Sequence, residues 1–356
     1  MKVCWIANQA SPYKMKLLNI LGKSIDLHVF LYDDKSEIRG SRWYNYTNDT
    51  FSLSIIDNHF FKNIWYISKK YDVLIDSMYS TRYGMIANLF FKMHNKITIL
   101  QADGGIAIDR GPIINSSISL LMKMHDYYLS SSAVTDTYFK YYGIDDKKIR
   151  HFRFSSLTNY DLQINHKMRG NIHKNRPFRL ISVGQPIYRK GFDILVQVFN
   201  ELRDLDINLQ IIGGNPQEDV LDYVEKNNVS NIEFIGNLDK DELIKYYSNS
   251  DMFILCTRED IWGLVINEAM SFGLPVLTTD KCVAGIHFNQ ICKSVFINNV
   301  NDINGYIEKI KKIYDLDSEE YINMCKDSIK VISEYSIENS AEDILLNLEE
   351  IKKVLY

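Results

Sequence analysis

The sequence predicts an α/β protein built from two doubly wound domains, each with a parallel sheet covered by helices. The chain has 356 residues, which is long for one hydrophobic core and suits two domains of ordinary size. Short apolar runs rich in β-branched residues alternate with longer stretches of helical periodicity. Apolar residues make up 46% of the chain and charged residues 24%, which is the composition of a folded globular protein.

The predicted strands are short buried runs, taken here in chain order. They are Val3–Ala7, Leu27–Leu31, Val73–Asp76, Ile97–Leu100, Tyr127–Leu129, Leu180–Val183, Leu209–Ile212, Ile232–Ile235, Met252–Cys256, Pro275–Thr278 and Val295–Ile297. Helical periodicity lies between them, for example over Lys14–Leu21 and Thr81–Met93. Strands separated by helices are joined by crossover connections, and this pattern therefore predicts parallel sheets with helices on both faces.

The alternation breaks once, between Tyr160 and Pro177, where the sequence is polar and without a period. We expect the domain linker there. It separates an N-terminal domain, residues 1–165, from a C-terminal domain, residues 178–335. A last helical pattern, residues 336–356, is expected to pack back across the linker. The carboxyl ends of the two sheets are then expected to face a cleft, because open α/β sheets bind ligands at that end of their strands.

Charge and cysteine content bear on partners and location. Residues 1–160 carry 20 Lys and Arg against 14 Asp and Glu, a net charge of +6, although the whole chain has a net charge of −4. This asymmetry fits a first domain that contacts an anionic partner or a membrane surface, and it fits scattered solvated charge equally well. The five cysteines show no metal-binding or redox spacing, and the sequence contains no signal-peptide pattern and no long apolar run. We therefore expect reduced thiols and a cytoplasmic location.

The most specific signal lies in Asp251–Val276. It reads as a buried strand, a charged loop, a helix that begins at Gly263, a stop at Gly273 and a second buried strand. The N–H groups at the start of such a helix have no partner within the helix and suit the oxygens of a phosphate or a sugar. Asp260 in the loop and Glu268 on the helix can contact opposite ends of one ligand.

A second loop carries two cations. A strand ends at Gly184, Arg189 and Lys190 follow, and a helix starts after Gly191. Cations beside a helix start stabilise the negative charge that builds on a departing diphosphate.

Both stretches resemble glycosyltransferase family 4. The spacing Asp260-x7-Glu268, followed by Gly273-Leu274-Pro275-Val276, resembles the family's E-x7-E and G-x-P-V patterns. Asp replaces Glu at the first acidic position, and either Asp260 or the adjacent Glu259 fills it. The loop after Val183 is similar to V-G-R-L-x-x-x-K-G-x-D-x-L, with Gln185 at the usual arginine position.

The resemblance implies two Rossmann-like domains of the GT-B type. It further implies transfer of a hexose, with retention of configuration, from a nucleotide sugar to a saccharide or lipid-linked saccharide in cell-surface polysaccharide (capsule) synthesis, without a metal ion. Asp260 then contacts the transferred sugar, Glu268 holds the ribose, and the base lies near Gly236 and Leu238. The implied donor site consists of Gly184, Gln185, Arg189, Lys190, Gly236, Leu238, Glu259, Asp260, Trp262, Gly263, Leu264, Val265 and Glu268.

The N-terminal domain supplies the expected acceptor side. Ser11 and Tyr13 follow its first strand, and Asp103 follows another. Asp103 is a catalytic candidate beside Asp260 and Lys190, because it can orient or deprotonate an acceptor hydroxyl; a simple turn aspartate is the alternative. The eight histidines show no metal pattern, and no nucleic-acid partner is expected. Peripheral membrane contact through this domain is possible. The alternative functions are a sugar-nucleotide epimerase or hydrolase, or a non-catalytic scaffold on the same fold.

Overall fold

The computed structural model describes residues 1–32, 47–170, 172–174 and 177–353. The chain divides into two compact units. The first unit comprises Met1–Ser156 and Ser336–Tyr356, and the second comprises Leu157–Tyr335. Each unit contains one parallel sheet.

The first unit is a seven-stranded sheet with helices. In chain order its elements are β1 (Lys2–Ala7), α1 (Pro12–Gly22), β2 (Asp26–Leu31), β3 (Ser52–Ile55), α2 (Phe60–Lys70), β4 (Val73–Asp76), α3 (Arg82–Met93), β5 (Ile97–Ala102), α4 (Pro112–Lys123), β6 (Tyr127–Ser130), α5 (Ala133–Tyr141) and β7 (Ile149–His151). The strand order is β3-β2-β1-β4-β5-β6-β7. The order reverses between β1 and β4, and at such a switch point the loops diverge and leave a crevice.

The second unit is a six-stranded sheet with helices. Its elements are α6 (Asn159–Arg169), β8 (Phe178–Val183), α7 (Phe192–Glu201), β9 (Ile207–Ile212), α8 (Glu218–Lys226), β10 (Ile232–Gly236), α9 (Lys240–Ser248), β11 (Met252–Leu255), α10 (Leu264–Ser271), β12 (Val276–Thr279), α11 (Val283–Ile291), β13 (Val295–Asn298), α12 (Ile303–Asp315) and α13 (Ser318–Ile332). The strand order is β10-β9-β8-β11-β12-β13, and it reverses between β8 and β11.

Each unit has its own hydrophobic core. In the first unit, apolar residues of β1, β2 and β4 pack against α2 and α3, and a second cluster joins β5, β6 and β7 to α4 and α5. In the second unit, the core lies between the central strands and helices α7, α12 and α13. Burial of these side chains is the main force that holds each sheet to its helices.

The last helix, α14 (Ile337–Lys353), packs against α1 and β7 of the first unit. Arg153 fixes it by donating hydrogen bonds from Nε and Nη2 to the two oxygens of Asp343, at 2.8 and 2.7 Å. Such paired bonds are stronger than single neutral ones. Leu355, at the end of the expected helical pattern, lies outside the described residues.

The fold agrees with the predicted doubly wound α/β class, and every predicted strand is present. The sequence pattern missed β3 and β7, which are the two edge strands and lack a buried apolar run. The expected linker over Tyr160–Pro177 was wrong from Tyr160 to Arg169, because α6 occupies these residues. The expected end of the first domain at residue 165 was also wrong, because the second unit begins at Leu157. Thr158 and Asp161 form a capping box that starts this helix, which offsets its weak apolar periodicity.

Candidate functional site

Two loops of the second unit lie side by side at the carboxyl ends of β8 and β11. We call residues 184–191 the lysine loop and residues 256–263 the acid loop. The lysine loop connects β8 to α7, and the acid loop connects β11 to α10. Because β8 and β11 are paired neighbours at the switch point of the sheet, the loops that follow them flank the crevice where open α/β sheets bind ligands.

Backbone hydrogen bonds join the two loops. The Arg189 carbonyl accepts bonds from the Arg258 N–H at 2.7 Å and the Thr257 hydroxyl at 3.0 Å. In return, Arg189 Nη1 donates to the Glu259 carbonyl at 2.5 Å. Each loop therefore fixes the backbone of the other, and the side chains of one loop keep a fixed position relative to those of the other.

Lys190 and Asp260 meet where the loops converge. Lys190 Nζ lies 2.5 Å from Asp260 Oδ2, and the side chains are 12% and 14% exposed, respectively. Charges this poorly solvated are costly unless paired, and the ion pair offsets the cost of burying both groups. The Glu259 side chain is exposed, and the Glu259 carbonyl accepts hydrogen bonds from Arg189 Nη1 and the Thr257 hydroxyl.

Arg258 is a structural residue of the site that the sequence pattern did not single out. Its guanidinium donates to both Asp193 oxygens at 2.8 and 2.6 Å and lies 3.8 Å from the centre of the Tyr188 ring. The hydrogen bonds to Asp193 raise the pKa of Arg258. A charged residue directly after a buried strand, with an aspartate in the first turn of α7, was the available signal.

Glycine is required where α10 begins. Gly263 has φ of 100°, and a Cβ there would lie 2.7 Å from Cys282 Sγ. The Ile266 N–H donates to the Gly263 carbonyl at 2.8 Å, which starts the helix. Leu264 and Val265 follow in its first turn and are half-buried. The start of α10 therefore lies directly after Asp260, as the sequence predicted.

Asp260 is held on its other side by the loop before α11. Its N–H donates to the Lys281 carbonyl at 2.9 Å, and its carbonyl accepts from the Val283 N–H at 3.2 Å. These bonds form a short parallel bridge between Asp260 and Cys282. Burial, and secondarily the charge of Asp260, raise the pKa of the Cys282 thiol to about 12.

Trp262 has a different position from the one expected of a ligand contact. Its side chain is buried, and Nε1 donates to Asn267 Oδ1 at 2.9 Å. Its ring packs near His287. Burial lowers the pKa of His287 to about 4. An indole enclosed in this way anchors the acid loop to α10 and α11, and the expected donor contact at Trp262 stays a prediction.

Glu268 lies on α10, one turn beyond the helix start. Tyr247 donates from its hydroxyl to Glu268 Oε2 at 3.3 Å. Complete burial, and then the negative charge of Glu268, raise the pKa of Tyr247 well above its usual value. Tyr247 therefore stays a hydrogen-bond donor and orients a half-buried carboxylate.

The other predicted donor positions lie around these loops. The Gly184 N–H donates to the Ile212 carbonyl at 2.9 Å, and the stem of Lys190 passes close to Gly184. Gln185 is exposed. Gly236, with φ of 82°, accepts a bond from the Gly213 N–H at 2.8 Å, and Leu238 is half-buried.

The predicted acceptor residues belong to the first unit. Ser11 is buried directly before α1, and Tyr13 packs edge-to-face on Phe154 with ring centres 5.7 Å apart. Asp103 directly follows β5, where its Oδ1 accepts a bond from Gln101 Nε2 at 2.5 Å. Lys14 Nζ lies 4.0 Å from the other Asp103 oxygen.

Three further features concern the cysteines, the groups that could bind a metal ion, and the apolar character of the helices. All five cysteines are free and buried. Within residues 1–32, 47–170, 172–174 and 177–353, no three His, Cys, Asp or Glu side chains group closely enough to hold a metal ion. Over the same residues, no helix has both the length and the apolar character needed to cross a bilayer.

Most of the second unit matches the model of a known protein family. Residues 163–330 match the family model described as "Glycosyl transferases group 1". This group 1 match falls within the second unit and contains both loops.

Two relatives are glycosyltransferases by name, and a solved structure shares the fold. An uncharacterized glycosyltransferase of Methanocaldococcus jannaschii is 32% identical over 98 residues, 27% of each chain. The capsular polysaccharide biosynthesis glycosyltransferase CapM of Staphylococcus aureus is 28% identical over 161 residues, 43% of this chain and 42% of CapM. The matched stretch thus spans less than half of either relative. The crystal structure of Anabaena HepE in complex with UDP and glucose has a TM-score of 0.76 at 11% identity, covering 98% of this chain and all of HepE. The fold is therefore of the GT-B class.

Proposed function

We propose that this protein is a retaining glycosyltransferase that moves a hexose from a nucleotide-sugar donor to a saccharide or lipid-linked saccharide in cell-surface polysaccharide synthesis. The observation that carries the proposal is the poorly solvated Lys190–Asp260 pair, in which Asp260 lies on the loop that leads into α10. The group 1 match over both loops supports it, as do the capsular polysaccharide synthesis of CapM and the UDP and glucose bound in HepE.

Lys190, Arg189 and the helix start at Gly263 bind the diphosphate of the donor. The reaction breaks the bond between the anomeric carbon and a phosphate oxygen, and negative charge builds on the departing nucleotide. Positive groups already fixed in place stabilise that charge without reorganising, which is where electrostatic catalysis gains most. These groups supply the charge that a metal ion would otherwise supply, and we propose that the enzyme needs none.

Asp260 contacts the transferred sugar, because its carboxylate lies beside Lys190 whereas the Glu259 side chain is exposed. Glu268, oriented by Tyr247, holds the ribose hydroxyls. Gly236 and Leu238 lie beside the base, where an open glycine leaves the backbone accessible. The acceptor hydroxyl attacks the anomeric carbon on the face that the diphosphate leaves, so configuration is retained.

The acceptor is bound by the first unit and comes from the cytoplasmic face of the membrane. Helix α4 supports this part of the proposal. Ile113 is 82% exposed and Leu120 is 68% exposed, and both lie on a different face of α4 from the buried Met122. Arg110 precedes the helix and Lys123 ends it. Exposed apolar residues flanked by cations suit contact with an anionic bilayer. The five free cysteines favour a reducing compartment.

A donor-consumption assay tests the proposal. The protein is incubated with UDP-, GDP- and ADP-sugars, with and without membrane lipid extract, and release of the nucleoside diphosphate is measured. We expect one donor to be consumed faster when extract is present. Equal consumption without extract would instead indicate an epimerase or hydrolase, and no consumption of any donor would contradict the transferase.

A further inference from the structure

A chain of hydrogen bonds in the first unit ends at Asp103. Trp5 Nε1 donates to Ser77 Oγ at 2.8 Å, Ser77 Oγ donates to Gln101 Oε1 at 2.5 Å, and Gln101 Nε2 donates to Asp103 Oδ1 at 2.5 Å. The four residues lie on β1, directly after β4, on β5 and directly after β5. These strands are neighbours at the point where the strand order of the sheet reverses.

The direction of this chain is fixed at its first end. An indole N–H can only donate, so Ser77 must accept there and pass its own hydrogen to Gln101. Gln101 then accepts with its carbonyl and can only donate with its amide nitrogen, which faces Asp103. At the last end, a carboxylate can only accept. Hydrogen bonds aligned in one direction polarise and strengthen one another. The chain therefore holds the Asp103 side chain in one orientation.

Lys14 completes the site. Its side chain is 5% exposed, and its Nζ lies 4.0 Å from Asp103 Oδ2. That distance is too long for a direct hydrogen bond. One hydroxyl oxygen placed about 2.8 Å from each atom would fill the gap, accepting from Lys14 and donating to Asp103. The pair has no net charge, so it favours a neutral hydroxyl over a phosphate, which the Asp103 carboxylate would repel.

We infer that Lys14 and Asp103 bind one sugar hydroxyl between them, and that Trp5, Ser77 and Gln101 are positioning residues for Asp103. This inference rests on the proposed function for the identity of the ligand as a sugar. The hydroxyl belongs to the acceptor, which the proposed function assigns to the first unit.

The positioning chain is tested by NMR on the full-length protein without any ligand. The protein has four tryptophans, and 15N labelling of their indoles gives each an N–H resonance. The Trp5 resonance is assigned by its loss in Trp5→Phe. If Ser77→Ala folds better, the shift of the resonance in that variant assigns it instead. We expect Asp103→Asn to shift the Trp5 resonance. Asp126→Asn, which removes a carboxylate paired with Lys92 in the same unit, is the matched control and leaves it in place. If the Trp5 resonance does not shift in Asp103→Asn, the positioning chain is contradicted.

The hydroxyl site is tested by kinetics with the donor and lipid extract that support wild-type turnover. Lys14→Met is expected to lower turnover about 10- to 100-fold, the value of one hydrogen bond to a charged group. Lys14→Arg restores part of it, and nucleoside diphosphate binding is unchanged in both. We expect the effect to be confined to turnover with extract, because the hydroxyl belongs to the acceptor, and an equal effect on donor consumption without extract would contradict that assignment. Wild-type turnover by Lys14→Met overturns the site, whereas an inactive wild type would count against the proposed function and leave the NMR result standing.

Discussion

Lys190 and Asp260 are 70 residues apart in the chain, yet their charged atoms lie 2.5 Å apart. Sequence reasoning identified both residues from their loops and the family resemblance. It did not predict the contact, because the pairing of β8 with β11 is a property of the sheet and appears nowhere in the local pattern. Arg258 was missed for the same reason, because its partner Asp193 lies in the first turn of α7, far away in the sequence.

Replacing Lys190 by Ala is expected to lower kcat about 10²- to 10³-fold, because the departing diphosphate loses a fixed positive group. Single-turnover rates at saturating donor are the measurement. Ala at Lys240, which pairs with Asp161 away from the loops, is the control and keeps wild-type rates. A loss below about tenfold would mean that Lys190 is not the main phosphate ligand.

Asp260 and Glu259 can be separated by paired substitutions. Asp260→Asn removes the partner of Lys190 and the proposed sugar contact, and we expect turnover to fall by about 10²-fold or more. Glu259→Gln alters an exposed side chain, and turnover should stay within about threefold of wild type. The reverse ranking of the two variants would assign the first acidic position to Glu259.

Gly263→Ala tests the backbone requirement at the start of α10. The added Cβ meets Cys282 Sγ at a backbone angle that favours glycine, so we expect the free energy of unfolding to drop by about 3 kcal/mol. Gly236→Ala has a similar φ with open space around the Cβ, and its cost should be about 1 kcal/mol. Denaturant unfolding of both variants measures the difference, and equal costs would remove the steric part of the explanation.

At the scale of elements, the buried strands were predictable because their apolar runs are short and bounded by turns. Strands β3 and β7, at the edges of the first sheet, were not, because most of their residues are half-buried or exposed and form no buried apolar run. Helix α6 begins with a Thr-x-x-Asp capping box, which was visible in the sequence and was outweighed by the polar composition that follows. Trp262 was assigned to the ligand by its place in the motif, although its burial depends on packing against α11.

Helix α4 carries the prediction about membranes. The double substitution Ile113→Ser and Leu120→Ser removes the most exposed apolar side chains of the helix. We expect it to reduce co-sedimentation with vesicles rich in phosphatidylglycerol, because apolar burial at the interface is lost. Leu221→Ser, on an exposed face of α8 in the second unit, is the control. Equal sedimentation of all three proteins would exclude α4 as the contact.

For the whole molecule, the sequence predicted the two-unit α/β class, and the second unit was easier to interpret than the first. Its loops carry motifs whose chemistry is local, such as cations before a helix start. The first unit's Lys14, Ser77 and Gln101 come from different strands and helices, so only the assembled sheet brings them to Asp103.

The central claim is that the second unit binds a nucleoside diphosphate through the lysine loop and α10. Titration calorimetry with UDP, GDP and ADP tests it most directly, using wild type, Glu268→Ala and the exposed-strand control Glu233→Ala. We predict that at least one nucleotide binds to wild type and to Glu233→Ala, and that Glu268→Ala weakens binding about 10- to 100-fold as the ribose contact is lost. No binding by wild type, or equal affinity in Glu268→Ala, would contradict the claim.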